Sequence, residues 1–183
     1  ARPVDDYRYM ARALTLAQHG LYSTDPNPRV GCVLVRDHQI IGEGWHERAG
    51  EAHAEIKALE AAGTRARGAT AYVTLEPCCH FGKTPPCTDA LIAAGVKRLV
   101  VAMKDELPPV SGRGVGILRK AGVRVDIGLC EEEARELTSF VRRGGLLIAD
   151  ARPGLADESG RVGNNAAIAS LFGLTWKKEL GRR

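Results

Sequence analysis

The chain has 183 residues, 44% of them hydrophobic and 26% charged, which is enough to bury the core of one domain. No run of about 18 consecutive apolar residues is present, so the sequence predicts no membrane-spanning helix and no membrane partner. The net charge is +4, and the last seven residues, KKELGRR, supply +3 of it with four basic side chains and one acidic. The remainder is close to neutral, so we expect no nucleic-acid partner.

The cysteine content bears on the cellular compartment. Five cysteines, an odd number without regular spacing, argue against a secreted disulfide scaffold. The first ten residues, ARPVDDYRYM, lack the basic and then apolar pattern of a secretory signal. We therefore expect a cytoplasmic protein.

The hydrophobic pattern predicts alternating elements after an initial hairpin. A helix over 5–20, with Asp5 or Asp6 as its cap, precedes the loop STDPNPRVG and a hairpin of two strands over 30–37 and 40–46. The elements that follow are a helix over 52–63, a strand over 69–75, a helix over 87–95, a strand over 96–103, a helix over 114–122, a strand over 123–128 and a helix over 131–144.

This order indicates an α/β fold, specifically a three-layer α/β/α sandwich with a mixed β-sheet. The pattern weakens after about residue 145, where only a short helix near 166–172 is indicated. We therefore expect one domain over residues 1–145 and a C-terminal extension over residues 146–183.

Three residues of zinc-binding types stand near the starts of two predicted helices. His53 begins one helix, Cys78 follows a strand and Pro77, and Cys87 comes nine positions later. One histidine and two cysteines suit one Zn²⁺ per chain with the fourth tetrahedral position left for water, whereas a closed structural site needs four protein ligands. Glu55 is poorly placed to share the metal with His53, but it can reach that water. The set predicts a catalytic zinc site.

Each of these residues has an ordinary explanation when it is taken alone. A histidine before a helix is usually structural or solvent-facing, and a lone cysteine is usually a small core residue. Together, His-x-Glu at one helix start and Pro-Cys at a later one match the zinc deaminase signature, in which the glutamate transfers protons to departing ammonia.

The adjacent pair Cys78 and Cys79 raises the question of which one binds the metal. Neighbouring side chains at a helix start point about 100° apart, so one metal ion rarely takes both. The signature places a ligand directly after the proline, which selects Cys78 and leaves Cys79 beside the site or under it. Cys32 and Cys130 are expected to be packing residues.

The chain resembles the deaminase domain of the bifunctional riboflavin-biosynthesis deaminase/reductase in four segments: DPNPRVGCVLV, GEGWHERAGEAHAEIKAL, AYVTLEPCCHFGKTPPCTDALIAAGVKRLVVAMKD and SGRG. The resemblance covers about residues 4–143. The nine-residue cysteine separation is its most specific mark, because transfer-RNA adenosine deaminases and many nucleoside deaminases have Cys-x-x-Cys. It implies the cytidine-deaminase-like sandwich and a homodimer or higher homo-oligomer.

The resemblance also implies roles for individual residues. His53, Cys78 and Cys87 would bind zinc, and Glu55 would transfer protons. Six residues would contact the substrate: Asn27 the pyrimidine, His46 the pocket wall, Lys83 and Thr84 the ribose phosphate, Asp105 the ribosyl part, and Arg113 the region near the phosphate. Without the resemblance, Asn27 is a turn residue between prolines, His46 a strand-end histidine and Lys83 a solvated loop lysine.

The implied substrate is a small phosphorylated pyrimidine, a diamino-ribosylamino-pyrimidinone phosphate formed by opening the GTP ring. The implied reaction replaces a ring amino group by a carbonyl and releases ammonia. Two alternatives stay open: a deaminase of a different amino-pyrimidine, a pteridine or a nucleic-acid base, and a non-catalytic binding module stabilised by zinc.

Three departures from the family pattern bear on the substrate. Cys79 stands where the family usually has serine, and Leu107 stands where it has an asparagine that hydrogen-bonds the substrate, which leucine cannot do. Of the reductase part, only RPGLADESGRVG is faintly similar to its entry. The sequence is therefore compatible with riboflavin synthesis, and also with a secondary pathway that turns the same pyrimidine into another heterocycle.

Overall fold

A computed structural model describes residues 4–20, 23–24, 26–82, 84–105 and 111–135. In chain order the elements are helix α1 (Val4–Gln18), strands β1 (Gly31–Arg36) and β2 (Gln39–Trp45), helix α2 (Ala54–Ala62), strand β3 (Thr70–Leu75), helix α3 (Cys87–Ala93), strand β4 (Arg98–Met103), helix α4 (Arg113–Lys120) and strand β5 (Arg124–Ile127). A short 3₁₀ helix over Gly63–Ala66 follows α2, and residues 131–135 are helical. The rest of the predicted last helix and the 146–183 extension lie outside the described residues.

The five strands form one mixed sheet in the order β2-β1-β3-β4-β5. β1 runs antiparallel to both β2 and β3, whereas β3, β4 and β5 are parallel to one another. This confirms the mixed sheet predicted from a hairpin followed by alternating helices and strands. None of the helices in the described residues is long and apolar enough to cross a membrane.

Helices cover both faces of the sheet, which confirms the predicted three-layer sandwich. The core on one face contains buried side chains from three helices: Ala54, Ala58 and Ala62 of α2, Leu91 of α3, and Val115 and Leu118 of α4. The core on the other face is built mainly by α1, through Tyr9, Met10, Ala13, Leu14 and Leu16. The chain leaves the sheet at the carboxyl ends of the parallel strands β3 and β4, between the two helical layers.

Local signals in the sequence explain two turns. The two residues between β1 and β2, Asp37 and His38, have φ values of 51° and 60°, as a two-residue hairpin of the I′ type requires. Gly63 ends α2 with a φ of 56°, in agreement with its predicted role as the stop of that helix.

One of the two acids expected to cap α1 has a different role. Asp6 lies inside the first turn and is buried, and its carboxylate accepts hydrogen bonds from Arg98 and from the Tyr72 hydroxyl, at 2.7 Å for the latter. Arg98 also donates to Asp126 at 2.8 Å. The prediction of a cap is wrong here because the charge of Arg98 and the hydroxyl of Tyr72 bind the carboxylate from the sheet. This network joins α1 to β3, β4 and β5.

Helix α2 packs on the sheet with its smallest side chains. Ile56 and Leu59 show the expected helical spacing, yet they are only half-buried, and the fully buried row is Ala54, Ala58 and Ala62. Methyl groups on this row let the helix backbone approach the sheet closely. The position of α2 is therefore set by backbone contact.

Strand β2, which lies under this row of alanines, has glycines where it contacts the backbone of α2. A Cβ atom added at Gly44 would collide with the Ala54 carbonyl oxygen and would lie 2.7 Å from the Ala58 nitrogen. At Gly42 it would collide with the Ala58 carbonyl oxygen. Glycine is therefore required here because any side chain would push the helix off the strand.

We predict that Gly44→Ala lowers the free energy of unfolding by about 2 kcal/mol or more, because helix backbone would have to move. Urea denaturation measures the loss. The matched control is Gly116→Ala in α4, where an added Cβ meets no atom within 4 Å. That change should be neutral or stabilise by up to about 1 kcal/mol. Equal stability of the two variants would contradict the close approach of α2.

Candidate active site

The three predicted zinc ligands converge from two parts of the chain. His53 is the residue at which α2 begins, with extended backbone angles, and Cys87 is the first residue of α3. Cys78 lies in the segment that leaves β3. The ligand atoms of His53, Cys78 and Cys87 all lie within 4.8 Å of one another.

The separations of these atoms suit a tetrahedral zinc ion. His53 Nδ1 lies 3.5 Å from Cys78 Sγ and 3.3 Å from Cys87 Sγ. Zinc bonds of about 2.0–2.1 Å to nitrogen and about 2.3 Å to sulfur, at the tetrahedral angle, place N and S about 3.6 Å apart. The donor set therefore fits zinc, and three protein ligands leave one position for a further group.

Backbone hydrogen bonds hold the two cysteines together across the loop between them. The Cys87 N–H donates to Cys78 Sγ at 3.3 Å, and the Thr88 N–H donates to the Cys78 carbonyl oxygen at 3.2 Å. Both donors come from the first turn of α3, whose N–H groups have no partner within the helix. The chain between the two cysteines therefore forms a closed loop, in which Cys87 lies next to Cys78.

The two thiols affect each other's ionisation. The pKa of Cys78 is lowered by hydrogen bonding, first from the Cys87 thiol and also from His53. The pKa of Cys87 is raised by that same hydrogen bond, by burial and by the nearby carboxyl of Glu55. A bare pair of this kind favours one thiolate, and a divalent cation supplies the charge that lets both thiols ionise.

Glu55 is a buried acidic residue close to the metal-ligand cluster. It is in the first turn of α2 and only 3% exposed, and its carboxyl group raises the pKa of the Cys87 thiol. Burial raises the pKa of Glu55 to about 7. A buried carboxyl beside the metal-ligand cluster is the arrangement of an acid–base group, because it can exchange protons with a group bound there.

The other cysteines are placed as the sequence predicts. Cys79 is half-buried beside Cys78, and burial raises the pKa of its thiol, with Glu76 and Arg113 nearby. Cys32 is fully buried in the core beneath α2, and Cys130 packs against the opposite core. All five cysteines are free thiols.

Asn27 and His46 form a pair next to His53. His46 Nδ1 lies 3.4 Å from the Ala52 carbonyl oxygen, and Asn27 Nδ2 lies 3.1 Å from His46 Nε2. A carbonyl oxygen only accepts, so Nδ1 carries the proton and Nε2 accepts from the Asn27 amide. Burial lowers the pKa of His46, which favours this neutral form. The Asn27 carbonyl oxygen is thereby turned away from His46.

The His46 ring also contacts the metal-ligand cluster. Its centroid lies 5.3 Å from that of the His53 ring, in an edge-to-face arrangement. His46 is 3% exposed. The structure therefore brings His46 next to His53, and Asn27 next to His46.

The remaining predicted substrate contacts lie on other loops. Thr84 is half-buried, and its carbonyl oxygen accepts from the Gly82 N–H at 3.2 Å. Asp105 follows β4, and Arg113 is the exposed first residue of α4. Lys83 and Leu107 lie outside the described residues.

Sequence reasoning missed Glu76, the residue directly after β3. Its side chain is buried, and its carboxylate accepts hydrogen bonds from the backbone N–H groups of Asp105, Gly112 and Val115. The only signal in the sequence is an acidic residue directly after an apolar strand. The partners are 29–39 residues away along the chain, so no local pattern reveals them.

Comparison with known proteins identifies the family. The model of the cytidine and deoxycytidylate deaminase zinc-binding region matches residues 3–103. The chain belongs to this family. The match agrees with the geometry of His53, Cys78 and Cys87, and it confirms zinc as the predicted cofactor.

The similar proteins include proteins named for riboflavin biosynthesis. The riboflavin biosynthesis protein RibD of Escherichia coli is 60% identical over 140 residues, which are 76% of this chain and 38% of that protein. The diaminohydroxyphosphoribosylamino-pyrimidine deaminase of Buchnera aphidicola subsp. Schizaphis graminum is 54% identical over 131 residues, 72% of this chain and 89% of that protein. The structure of Acinetobacter baumannii RibD, form 1, matches with a TM-score of 0.74 and 56% identity, over 75% of this chain and 39% of that chain. The chain thus spans less than half of each RibD and most of the Buchnera deaminase.

The choice between the adjacent cysteines is tested by zinc content. We expect Cys78→Ser to retain less than about a tenth of the wild-type zinc after gel filtration, because the site loses one of three protein ligands. The matched control, Cys79→Ser, should keep one zinc ion per chain. Atomic absorption measures both. Zinc loss from the Cys79 variant alone would reverse the assignment.

Proposed function

We propose that the protein hydrolyses the ring amino group of a diamino-ribosylamino-pyrimidinone phosphate, forming a carbonyl and releasing ammonia. The observation that carries the proposal is the convergence of His53, Cys78 and Cys87 with the buried carboxyl of Glu55. The substrate class is supported by the 54% identical Buchnera enzyme, whose name specifies this pyrimidine and most of whose length the chain covers.

The residues divide the chemistry between them. His53, Cys78 and Cys87 would hold zinc, which would supply a Lewis acid that makes water acidic enough to lose a proton near neutral pH. Glu55 accepts that proton and delivers it to the departing amino group, so that ammonia leaves as a neutral molecule. The burial of Glu55 keeps bulk water from competing for the proton. A non-catalytic zinc module would require no such buried carboxyl.

Recognition of the pyrimidine is assigned to Asn27. Because its amide N–H donates to His46 Nε2, its carbonyl oxygen is oriented to accept from an N–H group of the substrate. The assignment is supported by the link from Asn27 through His46 to the ring of His53. The arrangement favours a ring that carries an amino group at the carbon under attack.

Recognition of the ribosyl phosphate is assigned to the loops beyond β3 and β4. Lys83 and Thr84 would bind the phosphate, for which a flexible cation and a hydroxyl group are suited. Asp105 would hold the ribosyl part, and Arg113 would contribute near the phosphate. These roles, and the consequence of Leu107 in place of asparagine, rest on the family resemblance.

The biological setting is part of the proposal. The similar proteins favour riboflavin synthesis, and a branch pathway that consumes the same pyrimidine is the alternative raised by Leu107. We also propose that the protein forms a homodimer or higher homo-oligomer in the cytoplasm. Light scattering of the purified, zinc-loaded chain tests the assembly.

The direct test is ammonia release from the diamino-ribosylamino-pyrimidinone phosphate by zinc-loaded protein. We expect turnover by the wild type, and a loss of about 10²–10⁴-fold in kcat for Glu55→Gln with zinc retained, because the amide cannot carry the proton. The matched control is Glu60→Gln, an exposed position on the same helix, which should keep full activity.

Other outcomes separate the alternatives. Unchanged activity of Glu55→Gln would reject the acid–base role. Zinc binding without turnover of this substrate, in either its phosphorylated or its dephosphorylated form, would favour other amino-pyrimidines or pteridines. Tight, salt-sensitive binding of transfer RNA would instead favour a nucleic-acid base.

The role of Asn27 is tested by Asn27→Asp, which keeps the shape of the side chain but removes the N–H donated to His46. We expect kcat/KM to fall about 10–100-fold with zinc content unchanged, because the acceptor next to the metal loses its orientation and a charge appears beside His46. Gln18→Glu, an exposed amide-to-carboxylate change on α1, is the control. A wild-type kcat/KM in Asn27→Asp would remove the residue from the site.

A further inference from the structure

Glu76 is a buried acidic side chain that accepts hydrogen bonds from backbone N–H groups of other segments. It is 4% exposed. One carboxylate oxygen accepts from the Gly112 N–H at 2.9 Å and the Asp105 N–H at 3.3 Å, and the other accepts from the Val115 N–H at 3.1 Å. Both oxygens of the Glu76 carboxylate therefore accept hydrogen bonds from backbone N–H groups.

The three donors come from both ends of one loop. Asp105 lies just after β4, whereas Gly112 and Val115 lie at and within the first turn of α4. Glu76 itself is held to the end of β4 by its own N–H, which donates to the Met103 carbonyl oxygen at 3.0 Å. One side chain therefore fixes where the chain leaves β4 and where it enters α4.

A second observation shows how closely α4 is seated on this segment. A Cβ atom added at Gly114 would collide with the Pro77 carbonyl oxygen and would lie 3.2 Å from Glu76 Oε1. The first turn of α4 thus packs directly against the two residues that precede Cys78. The distance between the metal-ligand segment and the start of α4 is set by this contact.

We propose that Glu76 is a positioning residue that fixes Asp105 and Arg113 relative to Cys78, and thereby sets the distance between the metal site and the ribosyl phosphate end of the substrate. This inference rests on the proposed function, because Asp105 and Arg113 are substrate contacts only there. Glu76 acts through these residues and through the backbone, without contact to the reacting atoms.

The position of Glu76 predicts an effect on substrate affinity in particular. In Glu76→Gln, the amide can accept on one side only, and its N–H₂ group faces a backbone donor. We expect the KM for the phosphorylated pyrimidine to rise about tenfold or more, with kcat within about threefold of wild type and one zinc ion per chain. The KM for the dephosphorylated pyrimidine should change less.

Asp6→Asn provides a matched control for loss of stability alone. Asp6 is 2% exposed and also accepts several hydrogen bonds, but its partners include Arg98, at the start of β4, whereas Asp105 follows the end of that strand. Both variants exchange a buried carboxylate for an amide. Asp6→Asn should therefore lower the melting temperature without changing either KM.

The experiment measures kcat, KM, zinc content and melting temperature for wild type, Glu76→Gln, Glu76→Asp and Asp6→Asn. A rise in KM for the phosphorylated substrate in either folded Glu76 variant, absent from Asp6→Asn, supports the positioning role. Unchanged KM values, a rise equal to that of Asp6→Asn, or loss of zinc would overturn it, as would two Glu76 variants that fail to fold. Absence of turnover by the zinc-loaded wild type would instead reject the proposed function on which the inference rests.

Discussion

The close approach of α2 to strand β2 is the contact on which the site depends. Gly44 and Gly42 leave room for helix backbone, and the alanine row of α2 fills it with methyl groups. The first turn of α2 therefore has a position fixed by backbone contact, and His53 and Glu55 belong to that turn.

The second half of the site has a different origin. The cysteines come from the segment between β3 and α3, where Cys87 and Thr88 donate backbone hydrogen bonds to Cys78. This half is closed by its own local hydrogen bonds, whereas the first half is held by helix packing. Zinc is the group that would join the two, since its bonds to His53 and to the thiolates cross from one to the other.

Features that depend on residues close together in the sequence could be predicted, whereas features that depend on a distant segment could not. The positions of His53, Glu55, Cys78 and Cys87 could be predicted because each stands at or near a helix start or strand end and the set matches the zinc deaminase signature. The alanine face of α2 could not, because Ile56 and Leu59 have the same helical spacing and higher hydrophobicity, and only the glycines of β2 decide between the two faces.

Contacts between distant segments were visible only in the structure. The Asn27–His46 pair depends on the loop before β1 meeting the end of β2, which requires the register of the hairpin. Glu76 likewise receives donors from chain segments that become its neighbours only when β4 aligns beside β3. For the same reason the buried role of Asp6 replaced the expected helix cap.

The metal ligands are held in place by different parts of the structure than Asp105 and Gly112 are, and this difference bears on substrate choice. The metal ligands and Glu55 are held by α2 and by the β3–α3 segment, whereas Asp105 and Gly112 are held by Glu76. Residues between Asp105 and Gly112, including Leu107, belong to a segment with both ends fixed by one carboxylate. Under the proposed function, a substitution in this segment alters substrate recognition without requiring the metal ligands to move. Under that proposal, leucine at position 107, where the resemblance implies asparagine, is compatible with an intact reaction centre and an altered preference for the group attached to the pyrimidine.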